Sequence, residues 1–347
     1  MQLVRTRRLN EQPGRVEQAD TGLGLGTMLW GDTPLDRFMN DRVLSDAELK
    51  DLRIQAIASN IRFIDTAEGY GGGSCERRIR RCGFADGSFY VATKYLPTVL
   101  RWTPQSVVRA ARRSAERMGA GSIHLLYIHS PTHVLSPDTW IRGAVRAVRA
   151  GVVQEIGVSN FNASQIQDAV RVAGEAGVPI SSCQIQFSPL VYGGTEVRRI
   201  LEVCREHGIP VVGFSTIGQG LLRDGLTPAG LASIRLARIN GMHFDDIREL
   251  RRRIYRIATK HQITMAQACI QWSRAKGVFP LMGTRTASQL RNSRDSQRVK
   301  LSGEDVEDID AAALDYGTFR KSPSRRMLFM VLISTLVLSF KVSRAFQ

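Results

Sequence analysis

The feature that most constrains the fold is a repeated alternation of two kinds of segment along the chain. Short apolar runs typical of strands alternate with longer runs of helical period, which is the pattern of a parallel sheet built from βα units. Eight such units can be counted in the 347 residues, and a barrel of eight units needs roughly 250 residues. The pattern therefore predicts an α/β protein, a single (β/α)8 TIM barrel with C-terminal closing helices and a hydrophobic C-terminal tail.

The predicted elements follow one another in a regular order. The strands are placed at 22–27, 62–65, 89–93, 124–129, 155–159, 182–187, 210–214 and 278–282. Helices are predicted between them at 45–60, 104–118, 139–150, 164–176, 195–206 and 245–261, with closing helices at 288–293 and 302–314. The stretch 218–241 is predicted to be a long βα loop with some helix of its own. The domains are then an N-terminal extension at 1–20, the barrel at 21–320 and a basic, hydrophobic tail at 321–347.

The net charge of the chain indicates which classes of ligand it can bind. The formal net charge is +16, and only seven of the 48 basic residues are Lys, which leaves 41 Arg. Such a surface attracts anions, but no zinc-finger spacing or RNP-type aromatic stripe accompanies it, so we expect no nucleic-acid partner. A phosphate-bearing cofactor would gain from the same field.

The cysteines and the first residues bear on metal binding and location. The five cysteines are scattered, with no C-x-x-C pair and no clustering with His, so we expect a reducing compartment and no metal site. The first 20 residues contain arginines and acids but no apolar core, which argues against a secretory signal. A cytoplasmic or plastid location is expected.

The C-terminal tail contains an uncharged segment that begins at Met327 and ends at Phe340. At about 1.5 Å per residue a helix of fourteen residues spans roughly 21 Å, against a hydrocarbon core of about 30 Å. The flanking basic residues are compatible with an interfacial membrane anchor. A terminal helix docked on the barrel exterior is the alternative, and both interpretations stay open here.

Four polar side chains follow three consecutive predicted strands. Asp65 ends the second strand, and Tyr70 follows five residues later in a glycine-rich loop; Lys94 follows the third strand and His129 the fourth. Active sites of such barrels lie at the carboxyl ends of the strands, so these side chains are expected to converge on one rim. Each taken alone has a structural explanation, such as a helix cap or a solvated charge.

Together these groups form a coherent acid–base set. A tyrosine with a pKa of about 10 is a reluctant proton donor near neutrality, and the ammonium of Lys94, held by the Asp65 carboxylate, would lower that pKa. A neutral His129 could donate a hydrogen bond to a carbonyl oxygen and stabilise the developing alkoxide. The set predicts that Tyr70 is a catalytic acid.

At this point the motifs resemble those of the aldo-keto reductases over nearly the whole span 22–314. The run FIDTAEGYGGGSCE resembles the family's aspartate and tyrosine signature, and VATK, YIHSP and GVSNF resemble its later blocks in the right order. The run GLGTMLWGD resembles the plant and algal branch, which contains plastid members. The resemblance implies reduction of a small-molecule aldehyde or ketone by hydride from NADPH, with Asp65, Tyr70, Lys94 and His129 as the catalytic tetrad.

The resemblance also implies which residues hold the cofactor. Ser159, Asn160 and Gln184 would hold the nicotinamide carboxamide, and Phe214, where the family usually has tyrosine, would support the ring. Ser215 opens a loop over the pyrophosphate, in which the common serine-proline-leucine is replaced. The 2′-phosphate would be held by a block after the eighth strand, formed by Gly283, Thr284, Arg285 and Gln289. The family's adenine-contacting asparagine is replaced by Ser293.

Other interpretations remain beside the reductase. The opening run GLGLGT does not have the spacing of a dinucleotide fingerprint, so a Rossmann fold is rejected. A barrel aldolase would use Lys94 as a neutral Schiff-base nucleophile, which a neighbouring carboxylate opposes. An NADPH-binding regulatory or scaffold barrel with little turnover is the main alternative. Trp30, after the first strand, is a candidate for an apolar substrate wall and equally for a core residue.

Overall fold

A closed barrel of eight parallel strands, joined in chain order, forms the centre of the protein. The computed structural model describes residues 22–39, 42–98, 100–131, 136–226 and 243–319. Strands β1 to β8 are Gly24–Gly26, Phe63–Asp65, Tyr90–Tyr95, Ile123–Ile128, Val153–Ser159, Ile180–Gln186, Val211–Phe214 and Val278–Gly283. The barrel closes because β1 pairs with both β2 and β8. The predicted fold class is confirmed, and each strand end lies within two residues of its predicted position.

Helices surround the barrel. Those of the described residues, α1 to α12, are Pro34–Met39, Asp46–Ala58, Ser74–Arg81, Pro104–Met118, Asp138–Arg149, Ala163–Gly174, Pro189–Tyr192, Thr195–Glu206, Arg248–Lys260, Met265–Ala275, Ala287–Asp295 and Gly303–Phe319. The helices predicted from the sequence are all present, and α12 extends five residues beyond its predicted end. The prediction did not single out α1, α3, α7 or α10. Residues 1–20, most of the predicted loop 218–241 and the tail 321–347 lie outside the described residues.

Several helices begin at residues that satisfy the free N–H groups of a first turn. Ser45 accepts a hydrogen bond from the Glu48 backbone, and Glu48 reaches back to the Ser45 backbone, which closes a capping box at the start of α2. Asn162 and Thr264 form the same arrangement with the glutamines three residues later. Such caps stabilise a helix by about 1 kcal/mol each. The caps at Ser45 and Asn162 mark the starts of two helices that were predicted from sequence, whereas α10 was not predicted despite its cap at Thr264.

The apolar side chains form two separate layers, as expected of a barrel with an outer ring of helices. Inside the barrel, Phe63 packs against Tyr90 and Phe279, with ring centroids 5.7 and 5.4 Å apart. These three rings lie at or near the amino-terminal ends of their strands. The carboxyl ends of the strands are therefore left for polar side chains. The larger core lies between the strands and the helices.

The last described helix, α12, packs on the outer ring of helices. α12 packs against α7 and α9, and its third residue, Asp305, is 5% exposed. The Asp305 carboxylate accepts hydrogen bonds from Lys260 Nζ at 2.9 Å and from His261 Nε2 at 2.7 Å. It also completes a capping box with Ser302. The hydrogen bonds from these partners hold the pKa of Asp305 well below its usual range, although burial acts in the opposite direction.

We expect the Asp305→Asn variant to unfold more readily at neutral pH, by about 1 to 3 kcal/mol, because a buried, multiply bonded charge is lost. The pKa of Asp305 is lower in the folded state than the value of about 3.9 in an unfolded chain. Its stabilisation is therefore complete above that value and is lost as the pH falls through the folded pKa. Denaturant unfolding of both proteins at neutral and acidic pH measures this. If the difference in unfolding free energy between the wild type and Asp305→Asn does not decrease at acidic pH, the stabilising role of the Asp305 charge is contradicted.

Candidate active site

The four predicted catalytic side chains come from the carboxyl ends of three neighbouring strands. Asp65 is the last residue of β2, Lys94 is the fifth residue of β3, and His129 follows the last residue of β4. The parallel register pairs Asp65 with Ala92 and Lys94 with Tyr127, so the three strand ends lie side by side. The structure brings all four groups together, as the sequence had predicted.

Lys94 is the centre of the group. Its side chain is buried, and Nζ donates to Asp65 Oδ2 at 2.5 Å, to the Thr66 carbonyl at 2.8 Å and to the Tyr70 hydroxyl oxygen at 3.4 Å. All three ammonium donors are thus directed to oxygen atoms. Because the Tyr70 oxygen accepts from Lys94, its own proton is left to be donated elsewhere. The Tyr70 residue as a whole is partly buried.

The pKa shifts of Lys94 and Tyr70 follow from burial and from each other. Burial alone would lower the pKa of Lys94, but the Asp65 carboxylate and the Tyr70 oxygen outweigh it and raise the pKa. Burial raises the pKa of Tyr70, whereas the charge of Lys94 lowers it. The sequence had predicted the Lys94 contribution with the right sign. The net pKa of Tyr70 is nevertheless raised, because the desolvation of the phenol is the larger effect.

His129 faces the other side of Tyr70. The two rings meet edge to face, with centroids 5.9 Å apart. Burial lowers the pKa of His129 to about 3, and the charge of Lys94 acts in the same direction, so the imidazole is neutral near pH 7. Its Nδ1 is buried and has no hydrogen-bond partner among the described residues. A neutral ring with an open position is what an oxygen-bearing ligand would find beside Tyr70.

The loop that carries Tyr70 depends on glycine. Gly71, Gly72 and Gly73 follow it with φ of 52°, 58° and 88°, a left-handed run that other residues adopt only at a cost. A Cβ on Gly71 would also lie 2.4 Å from Ser74 Oγ. In the same loop, Glu68 Oε1 accepts from the Leu96 N–H at 2.8 Å and from Arg101. Glu68 was not predicted from the sequence, although its position two residues before Tyr70 in the glycine-rich loop was a signal.

The residues assigned to the nicotinamide lie on the adjoining part of the rim. Ser159 ends β5, and Asn160 follows with φ of 59° and donates from Nδ2 to the His129 carbonyl at 2.9 Å. Gln184 in β6 donates from Nε2 to Asp65 Oδ1 at 2.8 Å. That last contact was not predicted, because it joins residues 119 positions apart across the barrel. It places Gln184 in direct contact with the Asp65 carboxylate.

The remaining predicted cofactor residues follow β7 and β8. Phe214 ends β7 with its ring half-buried, and Ser215 follows with φ of 58°. Gly283 ends β8, Thr284 is buried, and the Arg285 N–H donates to Gln289 Oε1 at 2.8 Å. Arg285 also lines an open cavity of about 280 Å³ between α2 and α11. Its guanidinium forms no ion pair within the described ranges, so it is available to an anion.

The structure decides the role of Trp30. Its side chain is 0% exposed and packs against Phe84 at a centroid distance of 4.9 Å. The indole Nε1 donates to the Thr284 carbonyl at 3.1 Å. Trp30 is therefore a core residue, and its candidacy as a wall of the substrate pocket was wrong. The sequence could not separate these two roles because both place an aromatic ring just after β1.

Metal sites and membrane-spanning helices are both absent from the described part of the chain. No group of three or more His, Cys, Asp or Glu side chains in it is arranged to hold a metal ion. None of its helices is long and apolar enough to cross a membrane. The apolar segment 327–340 lies outside the described residues, so its membrane association stays a prediction.

Comparisons with known proteins agree with this geometry. Residues 22–314 match the model described as "Aldo/keto reductase family". The chain is 27% identical to the chloroplastic pyridoxal reductase of Arabidopsis thaliana over 84% of this chain and 82% of that protein. It is 29% identical to the aldo-keto reductase yakc [NADP(+)] of Schizosaccharomyces pombe over 72% and 78% of the two chains. A crystal structure of a thermostable aldo-keto reductase has the same fold, with a TM-score of 0.66 at 24% identity over 84% and 94% of the two chains.

Proposed function

The chain belongs to the aldo/keto reductase family, and from that premise we propose that it reduces aldehydes or ketones to alcohols with NADPH and uses Tyr70 as the general acid. One observation carries the proposal. Lys94 Nζ contacts both Asp65 and the Tyr70 oxygen at the rim of the barrel, with the neutral His129 ring beside them. This is the arrangement needed to donate a proton to a carbonyl oxygen and to stabilise the charge that develops there.

Each residue of the group has a separate task in this proposal. Tyr70 donates its proton to the carbonyl oxygen of the substrate, and the Lys94 ammonium stabilises the phenolate that is left. Asp65 keeps Lys94 charged, and Gln184 holds the other Asp65 oxygen in place. His129 orients the carbonyl through its ring nitrogen. These groups are fixed before substrate arrives, so little reorganisation is needed during the reaction.

The rim offers suitable positions for the dinucleotide. Bound NADPH would supply the hydride that reduces the carbonyl carbon. In this proposal Ser159 and Asn160 hold the carboxamide, and the half-buried Phe214 ring offers an apolar surface for the nicotinamide. Ser188 Oγ, next to the end of β6, is buried without a partner in the described structure, which leaves a polar position open. The unpaired Arg285 suits the 2′-phosphate.

We expect Arg285→Ala to weaken NADPH binding by about 10- to 100-fold, because one charge-assisted interaction with a phosphate is lost. Binding of NADH, which has no 2′-phosphate, should change little. Fluorescence titration with both dinucleotides measures the two dissociation constants. Arg291→Ala is the matched control, since it removes an exposed arginine from helix α11, which begins two residues after Arg285. An equal loss for NADPH and NADH would refute the assignment of Arg285 to the 2′-phosphate.

The proposed activity is tested by turnover of the full chain. Purified protein is mixed with NADPH and a panel of aldehydes and ketones, the loss of NADPH absorbance is followed, and the alcohol is identified. Reduction of a carbonyl compound supports the reductase. Tight NADPH binding without turnover of any compound would favour a regulatory or scaffold barrel. The aldolase interpretation is disfavoured, because the Asp65 contact keeps Lys94 in its charged form, whereas a Schiff base needs a neutral amine.

The location stays a proposal. The chloroplastic relative in Arabidopsis supports a plastid location, and the cytoplasm is the alternative. The scattered cysteines are all free in the structure, which agrees with a reducing environment in either case.

A further inference from the structure

Glu76 is a fully buried carboxylate that the proposed reaction does not use. It is the third residue of α3 and is 0% exposed. Its two oxygens have separate partners: Oε1 accepts from Thr93 Oγ1 at 2.7 Å, and Oε2 accepts from Arg117 Nε at 2.5 Å. A buried charge is expensive unless it is paired and hydrogen-bonded. Its place in the fold therefore calls for an explanation.

The Thr93 contact connects Glu76 to the strand that carries Lys94. Thr93 and Lys94 are consecutive residues of β3, and consecutive side chains of a strand point to opposite faces. Lys94 reaches Asp65 inside the barrel, whereas Thr93 reaches Glu76 in the helix layer. Glu76 thus holds the outer side of the strand segment whose inner side presents the ammonium to Tyr70.

The Arg117 contact connects Glu76 to the loop that carries Tyr70. Arg117 belongs to α4 and donates from Nη2 to Ser114 Oγ at 3.0 Å. A Cβ on Gly73 would lie 3.0 Å from Arg117 Cδ, so the arginine side chain covers the last glycine of the left-handed run after Tyr70. α3 itself begins immediately after that run. Glu76 therefore joins the Tyr70 loop, helix α4 and strand β3 in one network centred on its buried carboxylate.

We propose that Glu76, together with Thr93 and Arg117, is a positioning residue that fixes the separation between the Tyr70 oxygen and Lys94 Nζ. This proposal rests on the proposed function, in which Tyr70 gives the proton and Lys94 stabilises the phenolate. The separation is 3.4 Å, near the limit of a hydrogen bond, and Tyr70 is followed by three glycines with unusually free backbones. Without the network the loop can drift away from β3. Misplacement of reacting groups by about 1 Å can reduce a rate by roughly 100-fold.

The decisive variants change only the hydroxyl that ties β3 to Glu76. Thr93→Val keeps the shape and removes the donor, whereas Thr93→Ser keeps the donor. The matched control is Ser273→Ala in α10, which removes another fully buried hydroxyl that donates to the Cys269 carbonyl at 2.9 Å. For each protein we would measure the dissociation constant of NADPH, the melting temperature and the single-turnover rate of NADPH oxidation at saturating carbonyl substrate. The rate is expressed per NADPH-binding site, so unfolded material does not enter it.

We expect Thr93→Val to lower the single-turnover rate by about tenfold or more, with NADPH affinity unchanged, and Thr93→Ser to restore the rate. Ser273→Ala should lower the melting temperature without a change in rate. Glu76→Gln, which keeps an oxygen for Thr93 but loses the charge that pairs with Arg117, should fall between wild type and Thr93→Val. A wild-type rate in Thr93→Val overturns the positioning role, even where its melting temperature falls. If Tyr70→Phe retains the wild-type rate, the proposed function of Tyr70 and the positioning role of Glu76 are both wrong. If Tyr70→Phe is inactive, the positioning role is tested by the Thr93 and Glu76 variants alone.

Discussion

Tyr70→Phe is expected to bind NADPH as the wild type does and to lose carbonyl reduction by roughly 100- to 10,000-fold, the usual contribution of a general acid. The substitution removes only the hydroxyl, so the ring still packs edge to face on His129 and the left-handed glycine run is undisturbed. Lys94 loses one acceptor but keeps Asp65 and the Thr66 carbonyl. The loss should therefore appear in kcat and in kcat/KM together, as for an interaction made in the transition state.

The control for this result is Tyr255→Phe, which removes an exposed phenol from α9 on the outer ring of helices. It should match the wild type in NADPH affinity and in turnover. The informative measurement is steady-state reduction of the best aldehyde with cofactor binding checked in all three proteins. Turnover by Tyr70→Phe within a few-fold of wild type would mean that another group supplies the proton. The proposed mechanism would then be wrong, whatever the family membership.

The rim of the barrel could be predicted from the sequence because the topology of a parallel barrel places all strand ends of one kind on the same side. Asp65, Lys94 and His129 each lie at or directly after the carboxyl end of a buried strand, and parallel neighbours must place their carboxyl ends together. Tyr70 could be added because it lies only five residues after Asp65. The convergence of these four side chains could therefore be predicted without knowing any interatomic distance. The strands themselves were recognisable from short apolar runs between capped helices, and the register in the structure pairs them as chain order implies.

What the sequence could not supply were contacts between distant residues and the depth of burial. The bond from Gln184 to Asp65 crosses the barrel, and the Glu76 network joins a helix, a strand and a second helix. Neither has a local pattern. The net pKa of Tyr70 depends on how far the phenol is desolvated relative to its distance from Lys94. The core position of Trp30 depends on its packing against Phe84, which follows α3. Each is a property of three-dimensional packing.

The second large effect expected is from Lys94→Met, which should nearly abolish turnover and also destabilise the fold by about 3 to 5 kcal/mol. The side chains have similar length, but the substitution leaves the buried Asp65 carboxylate, which is 3% exposed, with Gln184 Nε2 and no cation. An uncompensated buried charge of this kind has a cost of that order. The Tyr70 oxygen loses the ammonium that lowers its pKa, so proton donation becomes harder as well.

The double variant Asp65→Asn with Lys94→Met distinguishes the loss of stability from the loss of turnover. Replacing both charges with neutral groups of similar shape removes the unpaired carboxylate, so most of the stability should return, since buried pairs can often be replaced at little net cost. Catalysis should not return, because no ammonium is left to stabilise the Tyr70 phenolate. Denaturant unfolding and single-turnover rates of the wild type, both single variants and the double variant form a complete cycle. Recovery of the rate along with stability would show that Lys94 acts only by holding the barrel rim together, and its assigned role in proton transfer would have to be withdrawn.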